Sequence, residues 1–476
     1  MCSSFRLSEN SSIIPKLKFI SLLCLLVVLQ SCASYGRQAA TMRDGLLHGD
    51  PAASLAIAEE KDLDQEEVIA SLDKGMLRRI NNDFKGSNQI FEVAKSEIEK
   101  LYGFSVTENL ASVSINETFR GYEGDAYEQL LLHAYMAMNY IQLGQMDSAR
   151  VEMLQANVKM KEWGDEPEED AFLRYLEGII YENLDESDSA LISYRKAYTV
   201  YKEKGGNQYP AAPLLIKKDL LRLLAREGLW SEYKSYKKEF GLKNYKPLKE
   251  NKRTGELVVI LNNGLAPIRS ETTIPIYSAE VENNLRVSFP VYKQKKGQLY
   301  RPRIEVNKKL YAMETVEDVD ALARHSLQEA MPGIMARAMA RAVVKYTTQK
   351  TASDSDSLAG LFMTITNLVT ERADTRSWST LPQAIQLQRI RLPIGTHHVQ
   401  LQLLNSAGGV ADVIDENVTI RPKQSSFIIK HWNIPVPKTV IKPVVAAKEA
   451  SQQNVLQAIN EKAVTEKNGS EKTLEN

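Results

Sequence analysis

The sequence predicts an α+β chain in which a helical-repeat half precedes an antiparallel β half that carries a helical insertion. Three observations predict it. Between Asp50 and about Phe240 apolar residues recur at three- and four-residue steps, the spacing that lines one face of a helix. After Lys246 the period falls to two, the alternation of strands with one buried face. Ahead of both, the first 31 residues read as an export signal that ends at a cysteine.

In that signal, Arg6, Lys16 and Lys18 make a positive leader, and Phe19 to Leu29 follow as a mostly apolar core. The core is too short for a mature spanning helix, which needs about 20 apolar residues. Leu29-Gln30-Ser31-Cys32 then resembles the bacterial lipobox. The resemblance implies cleavage before Cys32, diacylglycerol on its thiol and acylation of the new amino terminus. Two or more acyl chains anchor stably where one does not. The chain has three cysteines, Cys2, Cys24 and Cys32. The part beyond the signal therefore holds one thiol, and can form neither an internal disulfide nor a thiolate metal site. Ala33 stands where inner-membrane lipoproteins typically carry Asp, so outer-membrane sorting in a Gram-negative envelope is expected. Residues 32–49 read as a lipidated tether.

Apolar residues make up 43% and charged ones 25%, an ordinary globular balance, and the formal net charge is zero. A chain of 476 residues is long enough for two or three cores. Without a basic field no nucleic-acid partner is expected, and membrane attachment falls to the lipid.

Asp50-Pro51 opens the helical half. Asp accepts from first-turn amides, and Pro at the first helical position gives up an amide that would have no partner. Asp64 with Glu67, and Asp125 with Glu128, are two further starts of capping-box form. The helices come in pairs. Ala137, Gly144, Ala149, Met153 and Ala156 place small residues where two helices approach, with a bulky one beside them. Gly178, Ala190, Tyr194 and Ala197 repeat the pattern, Ala190 lying 41 residues after Ala149. Weaker copies carry Gly75, Ser87, Phe91 and Ala94, then Gly228, Tyr233 and Lys237, the last like a terminal cap. The pattern resembles the tetratricopeptide (TPR) repeat, which implies a TPR-like α-solenoid over residues 50–245. The surplus over the ideal repeat of about 34 residues goes to the acidic stretch around Gly164 to Asp170. Leu110 to Asp125, with its glycines and aromatics, reads as an ordered loop that either recognises a partner or plugs the array.

The β-rich domain is expected over residues 246–436. Glu256–Gly264, Thr272–Tyr277, Leu285–Tyr292, Ala384–Leu392, His397–Leu404, Asp415–Ile420 and Ser426–Trp432 read as strands. Turn signals separate them at the spacing of an antiparallel sandwich. A helical insertion spans about 315–372. There Thr315 to Asp318 reads as a helix cap, and that helix is expected to end at Pro332-Gly333. Ile334–Tyr346 and Leu358–Val369 follow as two apolar segments, either domain core or a surface for a membrane or a partner. Arg337, Arg341 and Lys345 form one stripe, read as a solvated face. Residues 437–476 are polar and poor in aromatics, the composition of a disordered tail.

No catalytic residue, metal or cofactor is expected. The six histidines lack ligand spacing, and His397 and His398, adjacent on a strand, point to opposite faces. The chain has no GxSxG elbow, P-loop or dinucleotide fingerprint. A glycosidase carboxylate pair can leave no sequence signature.

Val258–Pro267, Met331–Ala338 and Glu371–Pro382 resemble segments of a family of uncharacterised proteobacterial lipoproteins, with N-terminal tetratricopeptide-like repeats and a C-terminal β-rich domain. The resemblance runs from the lipobox to about Pro435. It implies that architecture and the anchor, and assigns no reaction. The expected function is a lipid-anchored periplasmic scaffold or adaptor in envelope assembly, holding a peptide or envelope protein on its concave repeat face. Tyr140, Tyr181, Phe119, Tyr122 and Glu123 are the expected contacts. Arg376 and Trp378 either add to a binding surface, or Trp378 closes the core and Arg376 pairs with a carboxylate. The alternative is a peptidoglycan- or carbohydrate-binding protein, or a hydrolase, working through the β domain.

Overall fold

Helices α1 (36–47) and α2 (Pro51–Glu60) lead into four helix pairs. These are α3 (Val68–Ile80) with α4 (Phe84–Ser105), α5 (Ala126–Gln142) with α6 (Met146–Glu162), α7 (Ala171–Asn183) with α8 (Ser187–Lys204), and α9 (Leu214–Arg226) with α10 (Trp230–Glu239). The computed structural model describes residues 36–60, 68–105, 121–162, 169–247, 253–279, 281–355 and 372–436. Those up to Pro435 belong to one unit, and beyond it only Val436 is described.

The pairs are TPR-like repeats and share one register. Gly75, Ala137, Gly178 and Leu221 hold the same place on the first helix of each pair. Seven residues later Asn82, Gly144, Asp185 and Gly228 take φ of 65°, 72°, 61° and 72°. This is the left-handed residue at which a helix stops. Sixteen residues after the first position stand Phe91, Met153, Tyr194 and Lys237. Close approach explains the glycines. A Cβ on Gly75 would lie 2.4 Å from the Phe91 ring, and one on Gly178 would lie 2.3 Å from that of Tyr194. The fourth pair has Leu221 and Lys237 at these places and closes the array.

The caps follow the sequence where it is described. The Ala53 amide donates to Asp50 Oδ1 at 2.9 Å, and the Asp125/Glu128 capping box forms. Asp64 and Glu67 lie outside the described residues. The expected tether is corrected, because its described part, α1, is a packed helix. Met42 and Leu46, one turn apart, are buried with Ala58 and Leu77. Arg43 is buried as well and donates to the carbonyls of Ser379 and, at 3.0 Å, Ala266. Two apolar residues make too thin a stripe for a periodicity argument, and the partners of Arg43 lie 336 and 223 residues away.

The second half contains β1 (Thr254–Asn263), β2 (Ser270–Ser278), β3 (Asn283–Val291), β4 (Arg301–Val306), β5 (Lys309–Ala312) and β6 (Glu314–Glu317). Helix α11 (Val319–Ser355) follows, then β7 (Ala384–Pro393), β8 (Gly395–Leu404), β9 (Val410–Ile420) and β10 (Ser425–Trp432). They form four-stranded sheets of order β10-β1-β7-β6 and β5-β4-β8-β9, and a β2–β3 pair. The pairings are antiparallel, except that β1 and β10 run parallel with Glu256 opposite Ser425.

Three expectations in the insertion are overturned. Thr315 to Glu317 is strand, not cap, and the cap falls on Asp318, whose Oδ1 accepts from the Ala321 amide at 3.2 Å. Helix α11 runs on through Pro332. A proline deprives one carbonyl of its amide, here that of Gln328, but Gln328, Pro332 and Gly333 are all exposed to water. Arg341 is buried rather than solvated, because this part of α11 packs Ala338 and Ala342 on Leu285 and Val287 of β3. Leu358–Val369 lies outside the described residues.

One core joins the halves. Helix α5 buries 13 of its 17 residues and α7 buries 11 of 13, against five of 17 for α6. A helix buried on all sides needs cover on both faces. The partner helices cover one face of α5 and α7, and the sheet β10-β1-β7-β6 covers the other. Val258, Ile260, Leu387 and Ile429 accordingly share a core with Tyr135, Ile179 and Leu220.

Candidate functional site

Polar groups close the seam between repeats and sheet. The Tyr135 hydroxyl donates to Asn262 Oδ1 of β1 at 3.1 Å, and that of Tyr201 to the Val316 carbonyl of β6 at 2.6 Å. Asp73 of α3 accepts from the Thr380 amide (3.0 Å) and from the hydroxyls of Ser379 and Thr380 (both 2.8 Å). Glu314 of β6 accepts from the Leu214 and Leu215 amides at 2.5 and 3.4 Å. It thus supplies α9 with the negative charge that a helix N-terminus favours.

Two buried ionic clusters lie in this seam. On β7, Arg389 donates to the Tyr194 hydroxyl (2.8 Å), Asp219 (2.9 Å), Glu182 (3.0 Å) and Glu256. Arg222 grips Glu182 with both terminal nitrogens. Burial acts to raise the Glu182 carboxyl, but Arg222 and Arg389 outweigh it and hold it well below the ordinary range. Around Glu128 the balance is opposite. Burial, with repulsion from Asp125, pushes its carboxyl up to about 7 against the pull of Arg269, the Tyr122 hydroxyl and the Trp378 amide.

The inner side of the array, expected to be the concave face that holds a partner, is therefore filled by the chain's own sheet. Of the six sequence-predicted contacts among the described residues, Tyr122, Tyr181 and Trp378 are buried. Trp378 is 2% exposed, edge-on to Phe91 and Tyr135 at 5.7 and 5.9 Å, with its indole N–H on Thr380 Oγ1 at 3.1 Å. Arg376 pairs with Asp374 at 2.7 Å and lies 5.3 Å over the Tyr122 ring. Tyr122 is itself buried, with its hydroxyl on Glu128. Tyr122, Arg376 and Trp378 thus meet around Glu128, in the core and at its lid rather than on a docking surface. Tyr181 is buried at the end of α7, and half-buried Glu123 contributes its carbonyl to Gln129 Nε2 at 3.0 Å. Phe119 and Cys32 lie outside the described residues.

Tyr140 is different. It stands half-buried in an open groove of about 640 Å³ between α4 and α6, over the end of α5. Lys85, Asn88, Gln89, Val151 and Gln155 line it with Tyr140. Lys95 forms part of the floor, 2.7 Å from Glu92, 2.9 Å from Gln155 and 3.5 Å from Glu152, and His133 Nδ1 sits 3.0 Å from Glu152. Val151 of this groove is joined along α6 by Leu154 and Val158, the three being 46%, 47% and 56% exposed. Their spacing of three and four residues places them on one face. The sequence reading missed this stripe because such spacing normally marks core. The available signal was that Ala149, Met153 and Ala156 already supply the packed face of α6, which left a second apolar stripe without a use.

Among the described residues no group of His, Cys, Asp or Glu could hold a metal ion, and no helix is long and apolar enough to cross a membrane.

The residues described define an α+β chain whose TPR-like repeats wrap one of its own sheets. No family model matches this chain, and no curated protein matches it. Among solved structures it is similar to the nearly identical TPR-like repeats of a Podosopora anserina kinesin light chain candidate. There the identity is 13%, the TM-score 0.30, and the match covers 43% of this chain and 92% of that one. It is also similar to MamA from Desulfovibrio magneticus RS-1, with 11% identity, a TM-score of 0.28, and 43% and 92% of the two chains covered. Likenesses at this level add nothing to the fold described above.

Proposed function

We propose that this protein is a lipid-anchored adaptor of the bacterial cell envelope that offers the outer face of its repeats to a protein partner. The observation that carries the reading is the groove beside Tyr140 together with the exposed Val151–Leu154–Val158 stripe. Exposed apolar side chains in line, next to amide and charged groups, have the make-up of an interface core with its polar rim. The inner side of the repeats is already occupied. The lipobox-like Leu29–Cys32 supports acylation at Cys32, and Ala33 supports an outer-membrane, periplasm-facing location. A double or triple acyl anchor confines the protein and its partner to a thin shell, which raises their effective concentration.

Labelled palmitate is expected to enter the wild-type protein in cells and to be absent from Cys32→Ser. Label in the variant would remove the anchor from the proposal. For the partner, a photo-crosslinker at Gln155 is expected to give a discrete protein adduct that Leu154→Glu with Val158→Glu reduces at least about tenfold. Stability should change by no more than about 0.5 kcal/mol, as for surface positions. Unchanged adducts in that variant, or capture of glycan strands with no protein, would overturn the adaptor reading in favour of peptidoglycan or carbohydrate binding.

A further inference from the structure

The junction of α7 with β6 keeps two acids from water. Asp170, 2% exposed, precedes α7. Its Oδ1 accepts from the Leu173 amide at 2.7 Å and its Oδ2 from the Tyr209 hydroxyl at 3.3 Å. Glu317, 0% exposed, ends β6. Its Oε1 accepts from the Asp318 amide at 3.1 Å, while Oε2 is buried with no hydrogen-bond partner among the described residues. An ionised carboxylate with a bare oxygen is strongly disfavoured away from water. Among the described residues the titratable and charged groups that face the pair are Arg174 of α7, Tyr135 of α5, Tyr201 of α8, Tyr209 of the following loop, and Asp318. The cation among them is engaged elsewhere, since Arg174 pairs with Glu169 and, at 3.0 Å, with Glu177.

We infer that Asp170 and Glu317 form a proton-dependent latch that holds the sheet on the repeats, closed while Glu317 carries a proton and weakened when both acids are ionised. The place suits a latch. Strand β6 is four residues long, lies at the sheet edge and slips register between Thr315 and Glu317. The same strand carries Glu314, so its release uncaps α9 and uncovers α7 together.

The sign follows from the two groups. Burial, then repulsion from Asp170, pushes the Glu317 carboxyl well above its ordinary value, and burial lifts that of Asp170 to about 6. The folded form therefore binds more protons than the unfolded one. Stability is complete below the ordinary carboxyl range and is lost as pH rises, through Asp170 first and Glu317 after it.

Hydrogen exchange of the full chain tests this. Protection factors of amides in β6 and the first turn of α7 should fall by about tenfold or more between about pH 6 and about pH 9. The fall should disappear in Glu317→Gln, which keeps the shape without the charge, and shrink in Asp170→Asn. Flat protection in the wild type overturns the latch, as does an equal fall in either variant. Should Glu317→Gln not fold, the wild type and Asp170→Asn decide. A fall confined to the start of α5 would assign the pH response to Glu128 instead and would equally overturn it.

Discussion

Replacing Arg389 by alanine is expected to lower the free energy of unfolding by about 3–5 kcal/mol, the range for removing one partner of a buried ion pair. Among the described residues its guanidinium is the sole group that reaches Tyr194 of α8, Glu182 of α7, Asp219 of α9 and Glu256 of β1 together. Without it, Arg222, with Arg226 3.9 Å from Glu182, is left to balance Glu182 and Asp219, and Glu256 loses its buried counter-charge. Arg389→Lys should recover less than half of the loss, because a single ammonium cannot present the planar fork that spans four acceptors. Denaturant unfolding at neutral pH, with an unchanged slope, measures both variants. A loss for Arg389→Ala below about 1 kcal/mol, the level of a surface pair, would mean that this cluster does not hold the sheet to the repeats.

Trp378→Ala should be comparably damaging, at about 3–5 kcal/mol for a fully buried large aromatic. The indole touches Phe91 of α4 and Tyr135 of α5 edge-on, and Thr380 satisfies its N–H. Truncation leaves a cavity at the point where two repeats meet the segment before β7. Trp378→Phe fills most of that volume and should lose clearly less, about 1–2 kcal/mol. Equal losses for the two variants would shift the explanation from packing to the Thr380 hydrogen bond. No loss would return Trp378 to the surface role that its sequence context also allowed.

The repeats were legible because their rules are local. A left-handed turn seven residues after a small residue, and a bulky one sixteen after it, are written into the first three pairs, so Gly178 and Tyr194 identify themselves without any tertiary information. Strands with clean alternation, such as β7 and β8, were legible for the same reason. Strand β6 was not, since Glu-Thr-Val-Glu has two acids in four residues and reads more readily as a helix start. Glu314 makes sense once β6 is seen beside the N-terminus of α9, which favours negative charge. The occupied inner face was the largest miss. Its sign in the sequence is the run from Leu130 to Met138, apolar except for His133, with too few polar residues for a helix that shows one side to a partner. Periodicity reports that a helix is buried, and not by what. The partners of Arg43, Arg389 and Trp378 come from distant parts of the chain, so their burial is a property of the assembled seam.

The sheet fills the inner side of the array, and the proposed adaptor therefore meets its partner on the outer face. Photo-crosslinking in cells tests it directly, with an azido-phenylalanine in place of Tyr201, whose hydroxyl meets Val316, or of Val158 on the outer stripe. Probes at Val158 should give adducts to another protein, and probes at Tyr201 should link only within the chain. Intermolecular adducts from Tyr201 as abundant as those from Val158 would rule out a filled inner side, since they require an inner face that is open to a partner.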